Sequence, residues 1–511
     1  MSNRSRKGLT ERTGRAVGFR IGGNIALVFL GLGLGVILAR ILPPHEFGVF
    51  TVGLGIVTVA DIISSAGMFQ ALVQRKDLRP EDETTGLVLQ LSFALTAGLV
   101  LVLLGPLFAR FFKMPELGPL VQLQSLVLII KALVLVPNTR LMRGLAFDRL
   151  AFIEIMARLV GGVLAILLGL QGKGAMALTG GALATAAIQA ALSWTFASGS
   201  VPLRFSREAA RSLLGFGTGI VFIRIFNDLA RRVDVFIVGR RLGAEVVGFY
   251  NRSYQLVTIP LFQFTNAVNQ VLFPAMARVQ NDDDRFRRGF LGSVALSTLV
   301  SFPMLTLLWT CGDVLIPFLY GPRWSGAVPL LTLLSFVGYL RIISNPNGLV
   351  TQARARVGAE AWRQVAFTVM IGLFVFLGTI WGITGAVVGV GVATGLYLLF
   401  MTRLALSIAG IPIVDWLRAL KTTVGGTVVM SVTIIVTKNS LVGSMTSFVL
   451  LAILGLVGMG AYLLAIRILL SREEKEIVLR VAASLPARLS WLPRLVLGVE
   501  RKPVEPVPAD S

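Results

Sequence analysis

Apolar runs of about 20 residues, the length a helix needs to cross a hydrocarbon layer, recur from one end of this 511-residue chain to the other. They begin near residues 16, 47, 84, 117, 150, 174, 213, 246, 289, 326, 360, 383, 416 and 446. A chain that is 55% hydrophobic and 14% charged, with a mean hydropathy of +0.79, has more apolar surface than one water-soluble core can hide. The expected fold is an all-α polytopic membrane protein with about 14 transmembrane helices. No cleavable signal peptide is expected, since the first run is too long and lacks a small-residue cleavage site.

The net charge of +22 suggests nucleic acid until its location is considered. With the amino terminus in the cytoplasm, 32 of the 48 Lys and Arg fall in cytoplasmic segments, 8 in external loops and 8 within spans. That bias is what the positive-inside rule expects, and it puts both termini in the cytoplasm. The basic balance is then topology and attraction to anionic lipid, not nucleic-acid binding. Cys311 is the lone cysteine and His45 the lone histidine, so neither a disulfide framework nor a Cys/His metal cluster is expected. The GLGLG run, Gly31 to Gly35, lies inside an apolar stretch and suits close helix packing better than phosphate binding. No Walker sequence occurs, and no loop is long enough for a folded catalytic domain, so the chain is not expected to be an enzyme.

The chain also repeats itself. Ala39 to Phe50 aligns with Gly239 to Tyr250 at an offset of 200, matching Arg40 with Arg240, Leu42 with Leu242 and Gly48 with Gly248. Further on, Pro119 matches Pro329 and Gly172 matches Gly382 at an offset of 210. Six spans per copy is an even number, so the copies enter the membrane in the same orientation, a parallel repeat. The expected organisation is a six-helix lobe over 1–205, its repeat over 206–410, two additional helices over 411–470, and a cytoplasmic amphipathic and disordered tail over 471–511.

Ionisable residues inside spans mark function by default, because each costs roughly 2.5–3.5 kcal/mol on insertion scales. Lys131 and Arg341 stand at the same repeat position, and Arg20 and Arg224 lie in the first span of each half, with Asn24 aligned to Arg224. Facing lipid together, the four would cost roughly 10–14 kcal/mol, so they are expected to point into a wet interior. A cavity with several cations needs an anion, and the Arg fork and Lys point charge both suit a diphosphate. Asn227, Asn251, Gln255, Gln263, Asn266, Asn269 and Gln270 supply amides that can pair with sugar hydroxyls or, residue by residue, simply join helices. Asp61, Asp228 and Asp234 are the ion-coupling candidates. Asp228 and Asp234 also have arginines within four residues and can be local ion pairs, whereas Asp61 has no such neighbour. Glu154 and Arg158 are expected to pair.

The stretch ARILPPHEFGVFTVGLGIVTVADIISSAGMFQALVQRKDL resembles the amino-terminal signature of bacterial polysaccharide exporters of the Wzx flippase type. VDVFIVGRRLGAEVVGFYNRSYQLVTIP, Val233 to Pro260, is similar to the matching motif of their second half. These belong to the multidrug/oligosaccharidyl-lipid/polysaccharide exporter superfamily, and the resemblance covers nearly the whole chain. It implies a V-shaped pair of six-helix lobes that opens alternately to each side. The implied cargo is an undecaprenyl-diphosphate-linked oligosaccharide, carried outward for exopolysaccharide, capsule or O-antigen assembly. No cofactor is expected beyond a coupling ion, H+ or Na+. The surrounding partners would be membrane lipids, and a polymerase and chain-length or export proteins. Alternatives are a lipid II flippase, a cation or drug exporter of the same superfamily, and an integral-membrane synthase.

Overall fold

The computed structural model describes residues 22–23, 26–197, 199, 204–354 and 357–470. Over these the chain is a succession of helices: α1 Ala26–Ile41, α2 Pro44–Ser65, α3 Met68–Gln74, α4 Pro80–Phe112, α5 Leu117–Gln124, α6 Leu126–Leu133, α7 Leu135–Arg143, α8 Phe147–Leu170 and α9 Ala175–Phe196. Then follow α10 Arg207–Leu242, α11 Ala244–Arg278, α12 Asp283–Tyr320, a 3-10 turn Pro322–Ala327, α13 Val328–Ala353, α14 Val357–Gly378, α15 Gly382–Ala409, α16 Ile413–Leu441 and α17 Ser447–Leu469. Among the described residues nine candidate spans are long and apolar enough to cross a membrane, and α5–α7, bent by 43°, form a tenth if counted as one span. One of the nine, Trp362–Ala409, contains most of α14 and all of α15. The long helices α10 and α11 fall outside that set; α10 carries Arg224, Asp228 and Asp234, and α11 carries most of the amides noted above.

Apolar stripes left uncovered say what surrounds the bundle. On α4, Leu95, Leu99, Leu103 and Leu107 recur every fourth residue and are 51–68% exposed. Such a one-sided leucine face has no reason to meet water, and lipid is its natural solvent. The reverse faces use small residues. A Cβ on Gly161 of α8 would overlap the Gly181 carbonyl of α9, and one on Gly378 of α14 would overlap the Gly385 carbonyl of α15. Backbones approach that closely only where side chains vanish.

Prolines inside helices vacate the carbonyl four residues back, and neighbouring helices answer. Pro106 leaves the Val102 carbonyl, to which Gln122 Nε2 donates at 3.0 Å. Pro137 leaves Leu133, which accepts from Trp194 Nε1 at 3.0 Å. Pro303 leaves Leu299, which accepts from the Tyr462 hydroxyl at 2.7 Å.

The described residues fall into two compact units. The first comprises the chain to Ser253 with Leu319–Leu330 and Met370–Gly389; the second comprises Tyr254–Phe318, Leu331–Val369 and the chain from Val390. In the first, Met68, Leu72, Leu135 and Leu213 form a buried cluster. In the second, Phe286, Phe290, Val350, Leu406 and Trp416 form one cluster, and Cys311, Met430, Leu454 and Tyr462 another.

The repeat reappears as matched contacts. Ser193 Oγ donates to Asn138 Oδ1 at 3.1 Å, and Asn347 Nδ2 donates to Thr402 Oγ1 at 3.0 Å, both residues of the second pair lying at an offset of 209 from the first. Gly172 and Gly382 both take positive φ, 75° and 71°, which an L side chain resists. The offset is 210 at Lys131 and 209 at Asn138, so the first half has one extra residue between them. It is there that the first half breaks into α6 and α7, while α13 runs unbroken through the matching region.

Candidate functional site

Asp61 and Lys131, both inside membrane-length segments, meet. Lys131 Nζ on α6 donates to Asp61 Oδ2 on α2 at 2.8 Å, with the side chains 47% and 26% exposed. The carboxylate without a partner in sequence therefore finds one in space. Half-exposure of the lysine matters, since an ammonium turned to an accessible space can exchange one anion for another.

Arg341, the repeat mate of Lys131, is held differently. On α13 its Nη1 donates to the Tyr254 hydroxyl of α11 at 2.7 Å, with the guanidinium 5.2 Å from the centre of that ring. α2 and α11 carry the two copies of the repeated motif, so each of the two repeat-matched cations is tethered to the equivalent helix of its own unit.

The acidic candidates divide. Asp228 on α10 accepts from Arg232 Nε at 2.9 Å, an i,i+4 pair, rather than from Arg224 or Arg231. Asp234 is 5% exposed and accepts from the Val235 amide at 2.8 Å and from the Tyr250 hydroxyl at 2.5 Å. A carboxylate enclosed in that way accepts hydrogen bonds from its own helix and from α11. Arg224 is exposed on α10. Arg158, expected to pair with Glu154, instead donates to the Leu27 carbonyl at 3.3 Å.

Among the amides, Asn251 donates from Nδ2 to Thr51 Oγ1 at 3.0 Å, joining two helices as the simpler reading had it. Gln255 lies on α11, half-buried, one residue after Tyr254. Arg20 and Asn24 lie outside the described residues, as do the side chains of Asn227, Gln263, Asn266, Asn269 and Gln270 on α10 and α11.

One cation escaped the sequence reading. Arg252 stacks its guanidinium 4.0 Å above the Phe47 ring, and a Cβ on Gly35 would stand 3.0 Å from its Nη1. Gly31 likewise makes room for Arg158 Nη1, at 3.2 Å. The GLGLG run thus seats two arginines on α1, and its spacing was the available signal.

Comparison with known proteins bears on what such a bundle does. A family model described as "Polysaccharide biosynthesis protein" matches residues 37–329. The lipopolysaccharide biosynthesis protein WzxC of Escherichia coli (strain K12) is 30% identical over 341 residues, 65% of this chain and 68% of that protein. The teichuronic acid biosynthesis protein TuaB of Bacillus subtilis (strain 168) is 29% identical over 62% of this chain and 66% of its own length. The succinoglycan biosynthesis transport protein ExoT of Rhizobium meliloti (strain 1021) is 27% identical over 58% and 60%. In fold, the lipid II flippase MurJ in an inward closed conformation aligns with a TM-score of 0.69 at 13% identity, over 88% of this chain and 98% of that one. An inward-facing multidrug resistance transporter of the MATE family aligns with a TM-score of 0.59 at 14% identity, over 75% and 94%. At those identities the likeness speaks for the fold alone.

Proposed function

We propose that this chain, which belongs to the polysaccharide biosynthesis protein family, carries a lipid-diphosphate-linked oligosaccharide from the cytoplasmic to the periplasmic leaflet of the bacterial inner membrane. It is a multi-span membrane protein of polysaccharide biosynthesis and a transporter by kinship, not an enzyme. The observation that carries the cargo reading is the pair of cations at one repeat position, Lys131 and Arg341, each on a membrane-length segment and each tethered to the matching motif helix.

In this reading Lys131, Arg341, Arg224 and Arg20 receive the diphosphate, which loses hydration as it passes mid-membrane and needs replacement donors. Asn24, Asn227, Asn251, Gln255, Asn266, Asn269 and Gln270 serve the sugars. Asp61 is the coupling group: when protonated, or when a cation occupies it, it frees Lys131 for the cargo. Asp228 and Asp234 are the further coupling candidates, each engaged in bonds within α10 and α11 that a proton would break. The two lobes, 1–205 and 206–410, rock to expose the pathway to one side and then the other, with the helices of 411–470 alongside and both termini in the cytoplasm. Undecaprenol supplies the lipid, and a polymerase and chain-length proteins take the product onward.

The test is complementation of a deletion strain with K131A/R341A at matched membrane levels. Surface polysaccharide is expected to disappear while the lipid-linked repeat unit accumulates inside. Normal export by the double variant overturns the diphosphate reading. Lysis on depletion of the protein, in place of a viable strain with an altered coat, would turn the assignment to lipid II.

A further inference from the structure

The end of α4 opposite its acidic first turn opens into a groove with a composition unlike the rest of the bundle surface. Its cavity is about 540 Å³, lined by Pro106, Ala109, Arg110, Lys113, Pro119 and Gln122 among others. α4 and α5 touch backbone to backbone at Gly105 and Gly118, where a Cβ on either would stand 3.2 Å from the other's carbonyl oxygen. The chain turns between them at Lys113, φ 57°, and Pro115 and Pro119 join the lining from the α5 side. The space left has apolar walls of Pro106, Ala109 and Pro119 and two cations at one end. Arg110 and Lys113 are both exposed, and neither forms an ion pair among the described residues. Glu116, the nearby carboxylate in sequence, is not in the lining.

Two further features give the groove direction. The exposed stripe Leu103, Leu107 and Phe111 runs along α4 toward the cations. A third cation, Arg240 of α10, sits 5.4 Å from the centre of the Phe111 ring. Positive charge is thus gathered where a membrane helix ends, with an apolar track leading from it toward mid-membrane. The second half of the chain builds the same place otherwise. At an offset of 210 Arg110 becomes Tyr320, 4% exposed and 5.5 Å from the Trp324 ring, while Lys113 becomes the exposed Arg323, so the second half keeps one cation and packs an aromatic ring in place of the other. The repeat therefore does not require two cations at this place.

We propose that this groove binds an anionic phospholipid of the surrounding bilayer, its phosphate between Arg110 and Lys113 and an acyl chain along Leu107 and Leu103. Basic residues at the membrane surface attract such head groups, and a side groove of this size holds a head group and the first part of a chain.

The test is native mass spectrometry of the full-length protein in detergent with equal amounts of dioleoylphosphatidylglycerol and dioleoylphosphatidylcholine. Wild type is expected to retain the anionic lipid preferentially, and R110Q/K113Q to retain about tenfold less of it. R110K/K113R should keep it, and the charge-matched control K173Q/R204Q, at two exposed positions elsewhere, should match wild type. Unchanged retention in R110Q/K113Q, equal retention of the two lipids, or a loss as large in the control overturns the proposal. Displacement of the phosphatidylglycerol by millimolar inorganic diphosphate would overturn it too, by assigning the site to a free anion.

Discussion

Thr51 and Asn251 occupy the same position in the two copies of the repeat, and they touch: Asn251 Nδ2 donates to Thr51 Oγ1 at 3.0 Å. The helices that carry them cross where glycines make the crossing possible. A Cβ on Gly48 would overlap the Ala244 carbonyl, and a Cβ on Gly248 would overlap the Pro44 carbonyl, each the other's mate at an offset of 200. Neighbouring contacts obey the same rule, with Trp324 Nε1 donating to the Ala39 carbonyl at 2.7 Å and the Met114 methyl facing Gly239. Gly48→Ala and Gly248→Ala should each cost about 1–3 kcal/mol from overpacking. Thermal unfolding of the purified variants measures this. Because the two glycines share one crossing, the double variant should cost less than the sum of the singles. Strict additivity would mean that the crossing is not one unit.

The carbonyl vacated by Pro303 offers a cleaner measurement. Tyr462→Phe removes the donor to the Leu299 oxygen and should cost about 1 kcal/mol, in the range of hydrogen bonds between membrane helices. Restoring an amide with Pro303→Ala supplies the missing donor from within α12. In that background Tyr462→Phe should cost distinctly less, and an equal cost in both backgrounds would show that the hydroxyl acts elsewhere.

Arg140 and Glu83 form the most enclosed of the ion pairs between membrane helices in the first unit. Nε and Nη2 both reach the carboxylate, at 2.5–3.1 Å, with the side chains 19% and 7% exposed. Arg140→Ala strands a buried carboxylate and should destabilise by about 3–5 kcal/mol. Glu83→Gln in the R140A background should recover part of that loss in the same melt. No recovery would mean that Arg140 acts through its bond to the Gly199 carbonyl, at 2.7 Å.

Lys131 should behave in the opposite way. Its pair with Asp61 is half-exposed, and Lys131→Gln should change stability by under about 1 kcal/mol. Export in the complemented strain should nevertheless be lost. A variant that melts early and still exports would make the pair structural.

Much of the bundle was legible because lipid imposes simple demands on a helix. Run length and charge placement located α2, α4, α8 and α9, and the offset of 200 aligned Gly48 with Gly248 without announcing that their helices cross. What was not legible depends on contacts distant in sequence. Nothing near Asp61 announces Lys131, 70 residues away, and nothing near Asp234 announces that Tyr250 would enclose it. Arg252 was hidden because its repeat mate is Val52, so the comparison of copies that found Lys131 and Arg341 passed over it. The break after α6 comes from one inserted residue, a change too small to show in composition.

The reciprocal glycine crossing has a bearing on how such a chain could arise. A self-complementary patch needs solving only once, since a glycine that admits its partner's carbonyl is admitted in return by the same residue type. Two separate identical molecules could have met through it before any fusion. Pro44 opposite Ala244, and Thr51 opposite Asn251, are where the two copies differ around that shared contact.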